Sequence, residues 1–349
     1  MESITKSKLT SEQINMMTRQ AFGNRTKPEI ITELTDGYFN TAYMLTLTNG
    51  FKTVLKVSPP NDVTVMRYEK NIMETEVYVL NKIKSVGDIP IPKVYYYDKS
   101  GEIIKNDFFF MEFVDGVPLN KIRSELTEEQ YGEISSELGG LARKIHSIEG
   151  GYFGYISQDD KKFDTWDQAF LCMIKDLLDD AIDAKVTLPY DYDKIYNMIY
   201  EKREVLNSVK ITSLIHKDLW DGNIFVEPKT SKITGILDCE RAIYGDALLD
   251  PVCGFLLNNK DFMRSYKGKL SLEREEEIRA VLYQIYLYLI MVIECSYRKY
   301  PDESQSKWAS ARLQEALVDL LKSWEFVLGN FGGIITGGNG GILNVQDNK

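Results

Sequence analysis

Between two apolar runs near the middle of the chain, His216, Asp218 and Asn223 stand in the pattern His-x-Asp-x-x-x-x-Asn, within Leu214-Ile-His-Lys-Asp-Leu-Trp-Asp-Gly-Asn-Ile-Phe225. A second carboxylate, Asp238, ends the apolar run Ile233-Thr-Gly-Ile-Leu-Asp238. Either acid alone reads as a surface or capping residue. Together, with apolar runs on both sides, they read as a site. Asp221-Gly222 supplies a turn that can fold Asn223 back beside Asp218. The set suits phosphoryl transfer. That chemistry needs a carboxylate to orient the attacking hydroxyl, and oxygen ligands that hold Mg²⁺ against phosphates.

The residues up to about 114 read as strand-rich with one internal helix. Thr10-Ser-Glu-Gln13 has the form of a capping box, and Ile14, Met17 and Ala21 follow on one helix face. The runs Tyr43–Thr48 and Phe51–Val57, joined by Asn49-Gly50, predict a hairpin, because both central turn residues need positive φ. A helix is expected from about Val63 to Lys84, stopped by Ile89-Pro-Ile-Pro92. Asp107–Phe113 reads as a further strand, broken by Asp115-Gly116. Lys56 lies on the second hairpin strand. Alone it reads as a charged edge residue. Beside the downstream acids it reads as a phosphate lysine held straight by a helix glutamate. Glu76 is preferred to Glu69 and Glu74 because it precedes Val77, Leu80 and Ile83.

The pattern then turns helical. Thr127-Glu-Glu-Gln130 is a second capping box, and Tyr131, Ile134, Leu138, Leu141 and Ile145 recur at helical spacing. Further helices are expected over Thr165–Lys185, Tyr192–Val209, Leu272–Tyr297 and Ser304–Leu328. The run Ala280–Ile293 is apolar but too short to span hydrocarbon, and reads as a buried core helix. The expected division is a lobe over 1–114, a second over 115–328, and a flexible tail rich in Gly and Asn over 329–349.

Composition excludes several functions. A formal charge of −10 and a pI near 5.0 disfavour nucleic acid as a partner. The four cysteines contain no C-x-x-C pair, and two histidines add little, so a thiolate zinc site is not expected. Reduced, mostly buried thiols suit a reducing compartment. The first residues lack the apolar core of a signal peptide, which points to a cytoplasmic protein with no membrane partner.

These pieces together resemble the aminoglycoside phosphotransferase / choline kinase family, which shares the protein-kinase fold. The likeness runs from Leu34-Thr-Asp-Gly37 with Asn40, through the lysine strand, Ile89-Pro-Ile-Pro92, Met111–Gly116 and Leu141–His146, to the His216–Asn223 loop. It ends with Leu237-Asp-Cys-Glu-Arg-Ala242, Gly245-Asp246 and Asp250. The resemblance implies an α+β, bilobal fold with a strand-rich N-lobe and a helical C-lobe. It implies a small-molecule kinase using Mg²⁺ and ATP or GTP, and a role in antibiotic resistance is one possibility within it. Asp218 would be the catalytic aspartate, Asn223 and Asp238 the metal ligands, and Lys56 with Glu76 the phosphate pair. Asp36, Gly37, Asn40 and Thr41 would cover the phosphates. Backbone near Glu112, Phe113 and Val114 would receive the base. Glu240 and Arg241 would face substrate, while His216 and Asp250 would support the loop. Lys217, Cys239 and Ala247 depart from residues common in the family.

The acceptor stays open: an aminoglycoside, choline or another amino alcohol, or a sugar or nucleoside. Asp176, Asp179, Asp180 and Asp183 form one acidic stripe on a helix. A polycation could use it, but a solvated face is the more ordinary reading. With the acidic balance, the stripe tilts slightly toward an amino-bearing acceptor. A protein kinase is disfavoured, since no Ala-Pro-Glu motif follows Asp238. A non-catalytic binding module is disfavoured because no reacting group is missing.

Overall fold

The computed structural model describes residues 5–328 except Asp36, Tyr38 and Pro301, with side chains as far as Lys322. Asp36 and the tail over 329–349 therefore lie outside the described residues. The N-terminal half holds α1 (Ser11–Phe22), β1 (Pro28–Leu34), β2 (Thr41–Leu47), β3 (Lys52–Val57), α2 (Ile72–Val86), β4 (Val94–Asp98) and β5 (Phe108–Glu112). The five strands form one antiparallel sheet in the order β1-β2-β3-β5-β4. The expected hairpin forms, but its turn differs from the expectation: only Gly50 takes positive φ, at +79°, while Asn49 does not, and the Gly50 N–H bonds Leu47 O in a loop with a single left-handed glycine. Register pairs Lys56 with Ala42 and Phe109, which sets the lysine in mid-sheet rather than on an edge.

The C-terminal half contains β6 (Val117–Pro118), α3 (Leu119–Ile122), α4 (Glu128–His146), β7 (Phe153–Tyr155), β8 (Lys162–Phe163) and α5 (Trp166–Asp183). It continues through α6 (Tyr192–Tyr200), α7 (Arg203–Asn207), β9 (Ser213–Ile215), β10 (Ile224–Glu227), β11 (Lys232–Ile236) and β12 (Ile243–Gly245). Helices α8 (Leu249–Cys253), α9 (Lys260–Lys267), α10 (Arg274–Arg298) and α11 (Ser304–Leu328) complete it. The expected capping boxes close at Thr10 and Thr127, where each side chain takes an orphan N–H three residues on.

Among the described residues, three apolar cores hold this arrangement. One packs α1 on the outer sheet face through Met17, Leu45, Leu55 and Phe110. A second runs from Val54 and Leu80 through Leu138 of α4 to Leu219, Ile224 and Ile236, so both halves share an apolar seam under the His216–Asn223 loop. The third lies around α5 and α10. Helix α10 has the length and apolarity of a membrane span, yet Tyr283, Tyr286, Leu289 and Ile293 are fully buried in this core. Full burial of each such side chain contributes about 1.5–3 kcal/mol.

Two helix expectations need correction. The helix expected from Val63 begins at Ile72, after a single 3₁₀ turn at Arg67–Glu69 and a left-handed Asn71 at φ +58°. The apolar residues Met66 and Tyr68 do not continue the α2 stripe, because they join the C-terminal core. The helix expected over Tyr192–Val209 breaks at Glu201-Lys202 into α6 and α7, with no Gly or Pro to signal the break.

Candidate active site

The loop after β9 is fixed from below by a buried carboxylate. Asp250, at the start of α8, accepts the backbone N–H groups of His216 at 2.9 Å and Lys217 at 2.5 Å. Its other partner is His146 Nε2 at 2.8 Å. Burial alone would raise the Asp250 pKa, but the His146 hydrogen bond and neighbouring imidazoles bring it below the usual carboxylate range. His216 ties the loop to the metal strand. Its Nδ1 accepts the Asp218 N–H at 3.2 Å, so Nε2 carries the proton that it gives to Leu237 O at 2.9 Å. Both ring nitrogens are thus committed to bracing.

The 3₁₀ turn Asp221–Asn223 returns the chain to Asp218. Asn223 Nδ2 donates to Asp218 O at 2.9 Å and to Asp218 Oδ2 at 3.0 Å. A Cβ at Gly222 would come within 2.3 Å of the exposed Trp220 ring, so a side chain there would displace that ring. Burial raises the Asp218 pKa, with Arg241 and His216 opposing. A carboxylate with raised proton affinity is suited to taking a hydroxyl proton.

Across the cleft, Lys56 Nζ lies 2.7 Å from both Glu76 oxygens and 2.8 Å from Asp238 Oδ1. Lys56 and Glu76 are buried, whereas the Asp238 side chain keeps 44% exposure. Burial opposes the Lys56 charge, but Asp238 and Glu76 outweigh it and raise its pKa. For Asp238 burial pushes upward and Lys56 prevails, holding the carboxylate ionised. Asp238 sits at φ +60°, a left-handed position after β11. Glu69 and Glu74 lie elsewhere: Glu69 binds Arg298, and Glu74 pairs with exposed Lys99.

The phosphate-cover candidates separate. Gly37 is exposed, with open space where a side chain would stand. Asn40 is buried and its Nδ2 donates to Glu240 Oε2, joining the cover loop to the strand end after Asp238. Burial pushes the Glu240 pKa up to about 8, although Lys56 opposes this. Thr41 Oγ1 accepts the Ser7 N–H at 2.7 Å. At the far end, Glu112 exchanges bonds with Lys93, and Val114 packs so close to Gly235 that a Cβ there would meet it at 2.6 Å. Lys52 lies over the Phe113 ring at 5.4 Å.

The acidic stripe divides: Asp179 and Asp183 stay partly solvated, with side chains 34% and 59% exposed, whereas the other two do not. Asp176 and Asp180 are buried. Asp176 pairs with Lys161, Asp179 with Lys175, and Asp180 and Asp183 both with Arg67. Lys175 stands one turn away on the same helix, but Lys161 and Arg67 come from outside α5, and those two pairings are what sequence reasoning missed. Arg67 belongs to the turn before α2, so Asp180 and Asp183 fasten the N-terminal half to α5.

Behind Asp218 lies a buried aromatic and basic cluster. Lys217, at φ +66°, donates to Tyr286 Oη at 3.0 Å and lies 4.9, 5.7 and 5.4 Å from the rings of Tyr68, Tyr155 and Tyr286. Arg241 lies 5.6 Å from the Tyr68 ring and 3.3 Å from Glu294. Burial lowers the Lys217 pKa from 10.5 to about 7. Between those values the unfolded chain holds more protons than the folded one, so wild-type stability rises with pH. Lys217→Met is therefore expected to unfold at higher urea than wild type at pH 6. Its advantage should shrink toward pH 9.5, by up to about 1.4 kcal/mol per pH unit. A gap between the two urea midpoints that is constant with pH would contradict a buried, titrating lysine.

A sequence profile described as the phosphotransferase enzyme family (APH) matches residues 30–270. A subtelomeric hrmA-associated cluster protein of Aspergillus fumigatus is 23% identical over 127 residues, which span 36% of this chain and 24% of that protein's length. A Thermobifida fusca YX-ER1 protein assigned as a fructosamine-3-kinase superposes with TM-score 0.65 at 17% identity, covering 89% of this chain and all of that one (100%). A thermostable mutant of aminoglycoside phosphotransferase APH(4)-Ia, in ternary complex with AMP-PNP and hygromycin B, gives 0.59 at 17% identity, covering 88% and 98%. The streptomycin–ATP complex of APH(2")-IIa gives 0.57 at 17%, covering 90% and 97%. These likenesses establish the bilobal α+β fold.

Proposed function

Because the chain belongs to the phosphotransferase enzyme family, we propose that it transfers the γ-phosphoryl of ATP to a hydroxyl of a small-molecule acceptor. The carrying observation is the contact chain Glu76–Lys56–Asp238, whose Asp238 lies beside Asp218–Asn223: the Leu237 N–H bonds Asn223 O at 2.9 Å, and Asp238 is within electrostatic range of Asp218. ATP as donor is supported by the adenine nucleotides bound in the fold neighbours. Lys56 would hold the phosphates, kept charged by Glu76 and Asp238. Asp218 would orient the acceptor hydroxyl and take its proton as the phosphoryl leaves. Backbone at Glu112–Val114 would receive the base above Gly235.

The donor set fits Mg²⁺. Asn223 spends its Nδ2 on Asp218, which leaves Oδ1 as a neutral oxygen ligand, and Asp238 offers an ionised carboxylate. Mg²⁺ is commonly held by one or two protein oxygens with phosphates and water completing the shell. When bound it neutralises charge on the β and γ phosphates.

For the acceptor, the part-exposed Arg241, within electrostatic range of Asp218, favours a neutral sugar-like or anionic hydroxyl compound over a polycation. The stripe that tilted toward amines is already engaged with the protein's own cations. An ADP-release assay with Mg²⁺ across sugars, polyols, hydroxy acids, choline and aminoglycosides tests this. Turnover with a sugar or hydroxy acid above that with aminoglycosides is expected. Turnover confined to aminoglycosides would overturn the acceptor assignment, and nucleotide binding without turnover on any acceptor would favour a binding role.

A further inference from the structure

The segment before α1 lies along the strand ends that carry the phosphate-cover loop. Thr5 and Ser7 are buried. Besides the Ser7 N–H bond to Thr41, Ser7 Oγ donates to Ser58 O at 2.9 Å. Asn106 Nδ2 donates to Ser7 Oγ at 3.2 Å, and also to Ser58 O at 3.1 Å and Pro59 O at 2.8 Å. These bonds fasten the segment to the first residue of β2 and to the residues just after β3. Between the two buried residues, Lys6 Nζ donates to Asn40 O at 2.6 Å. Asn40 is the residue that bridges to Glu240. Lys56, Asp238 and Glu240 all lie within electrostatic range of the Lys6 ammonium.

The charges of the cleft leave room for this group. Lys56 is matched by Glu76, and Asp238 would turn to the metal. A magnesium-bound nucleoside triphosphate still brings about two net negative charges. We propose that Lys6 is a second phosphate-binding lysine, delivered to the triphosphate of the bound nucleotide by the strap Thr5–Ser7. This rests on the kinase reading above. An ammonium is a compact point charge with three donors. One is given to Asn40 O, and the others can reach phosphate oxygens. Burial draws the Lys6 pKa down, opposed first by Glu33. A bound anion would favour the charged form.

Lys6→Met keeps the stem and removes the charge, and Lys6→Arg keeps the charge. Calorimetric titration of the full chain with Mg·ATP and with adenosine separates a phosphate contact from a structural strap. Lys6→Met should weaken Mg·ATP about 10-fold, the factor that corresponds to ~1.4 kcal/mol. Adenosine binding should stay within about twofold, and Lys6→Arg should recover most of the Mg·ATP affinity. Equal losses for both ligands would make the strap structural and overturn the proposal, as would unchanged Mg·ATP binding. A wild-type protein that binds neither ligand would overturn the kinase reading itself, an outcome distinct from either.

Discussion

Replacing Asp218 by asparagine is expected to lower kcat by about 10²–10⁴-fold, the range for loss of a positioned base. The argument is local. Asn223 Nδ2 holds Asp218 Oδ2, and the Asp218 N–H is fixed by His216. Asparagine keeps the shape of the carboxylate, so the loop should stay in place. It cannot accept a proton from the acceptor hydroxyl. Burial raises the Asp218 pKa, so wild-type turnover should fall on acidification at a pH above that of an ordinary aspartate. The residual activity of Asp218→Asn should lack that acid limb. Steady-state ADP release with the best acceptor, followed against pH, reads both effects. Near-normal turnover in the variant would remove Asp218 from the base role. A higher KM with kcat unchanged would instead mark it as a residue of the binding surface.

Much of this site was legible in sequence because its parts are local. His216, Asp218 and Asn223 lie in one loop, and a turn dipeptide announces their return. Glu76 was legible by helix phase, since it precedes Val77 and Leu80 on the buried stripe of α2. The hairpin was legible from Asn49-Gly50. Most of the losses share one cause, which is pairing between segments far apart in the chain; the break between α6 and α7 at Glu201-Lys202 is a local one that no Gly or Pro announces. Nothing near Asp180 announces Arg67, and nothing near Asn40 announces Lys6 or Glu240. The false start of α2 has the same origin. Met66 and Tyr68 carry an apolar signal that a helix would use, but the partner that wins them is the C-terminal core. A weak signal did exist in Lys217, a basic residue that departs from those common in the family, next to the catalytic candidate. Only the surrounding tyrosine rings show what becomes of it.

The largest stability change is expected at Arg298, at the end of α10. Its guanidinium pairs with Glu69, and both side chains are 1% exposed. Arg298 also lies 3.6 Å from Glu294, which in turn is 3.3 Å from Arg241, and 4.6 Å from the Phe39 ring centroid. Glu69 is more than a counterion, because its Oε2 accepts the Met66 N–H at 2.9 Å and shapes the turn that carries Tyr68. Arg298→Met would leave that carboxylate buried beside one less cation, at a cost of roughly 3–5 kcal/mol. The sign with pH follows from the same group. Burial raises the Glu69 pKa and Arg298 pulls it back, so removing Arg298 raises it further. The folded variant then binds a proton that the unfolded chain has released, and its stability falls as pH rises above the ordinary glutamate value. Arg298→Met should be nearest to wild type near pH 5 and furthest from it at pH 8 in urea unfolding. Adding Glu69→Gln should recover much of the loss, since a neutral amide needs no counterion. If the single variant loses less than about 1 kcal/mol, or the pair loses as much as the single, this ion pair is not what pins the Arg67–Glu69 turn to the C-terminal lobe.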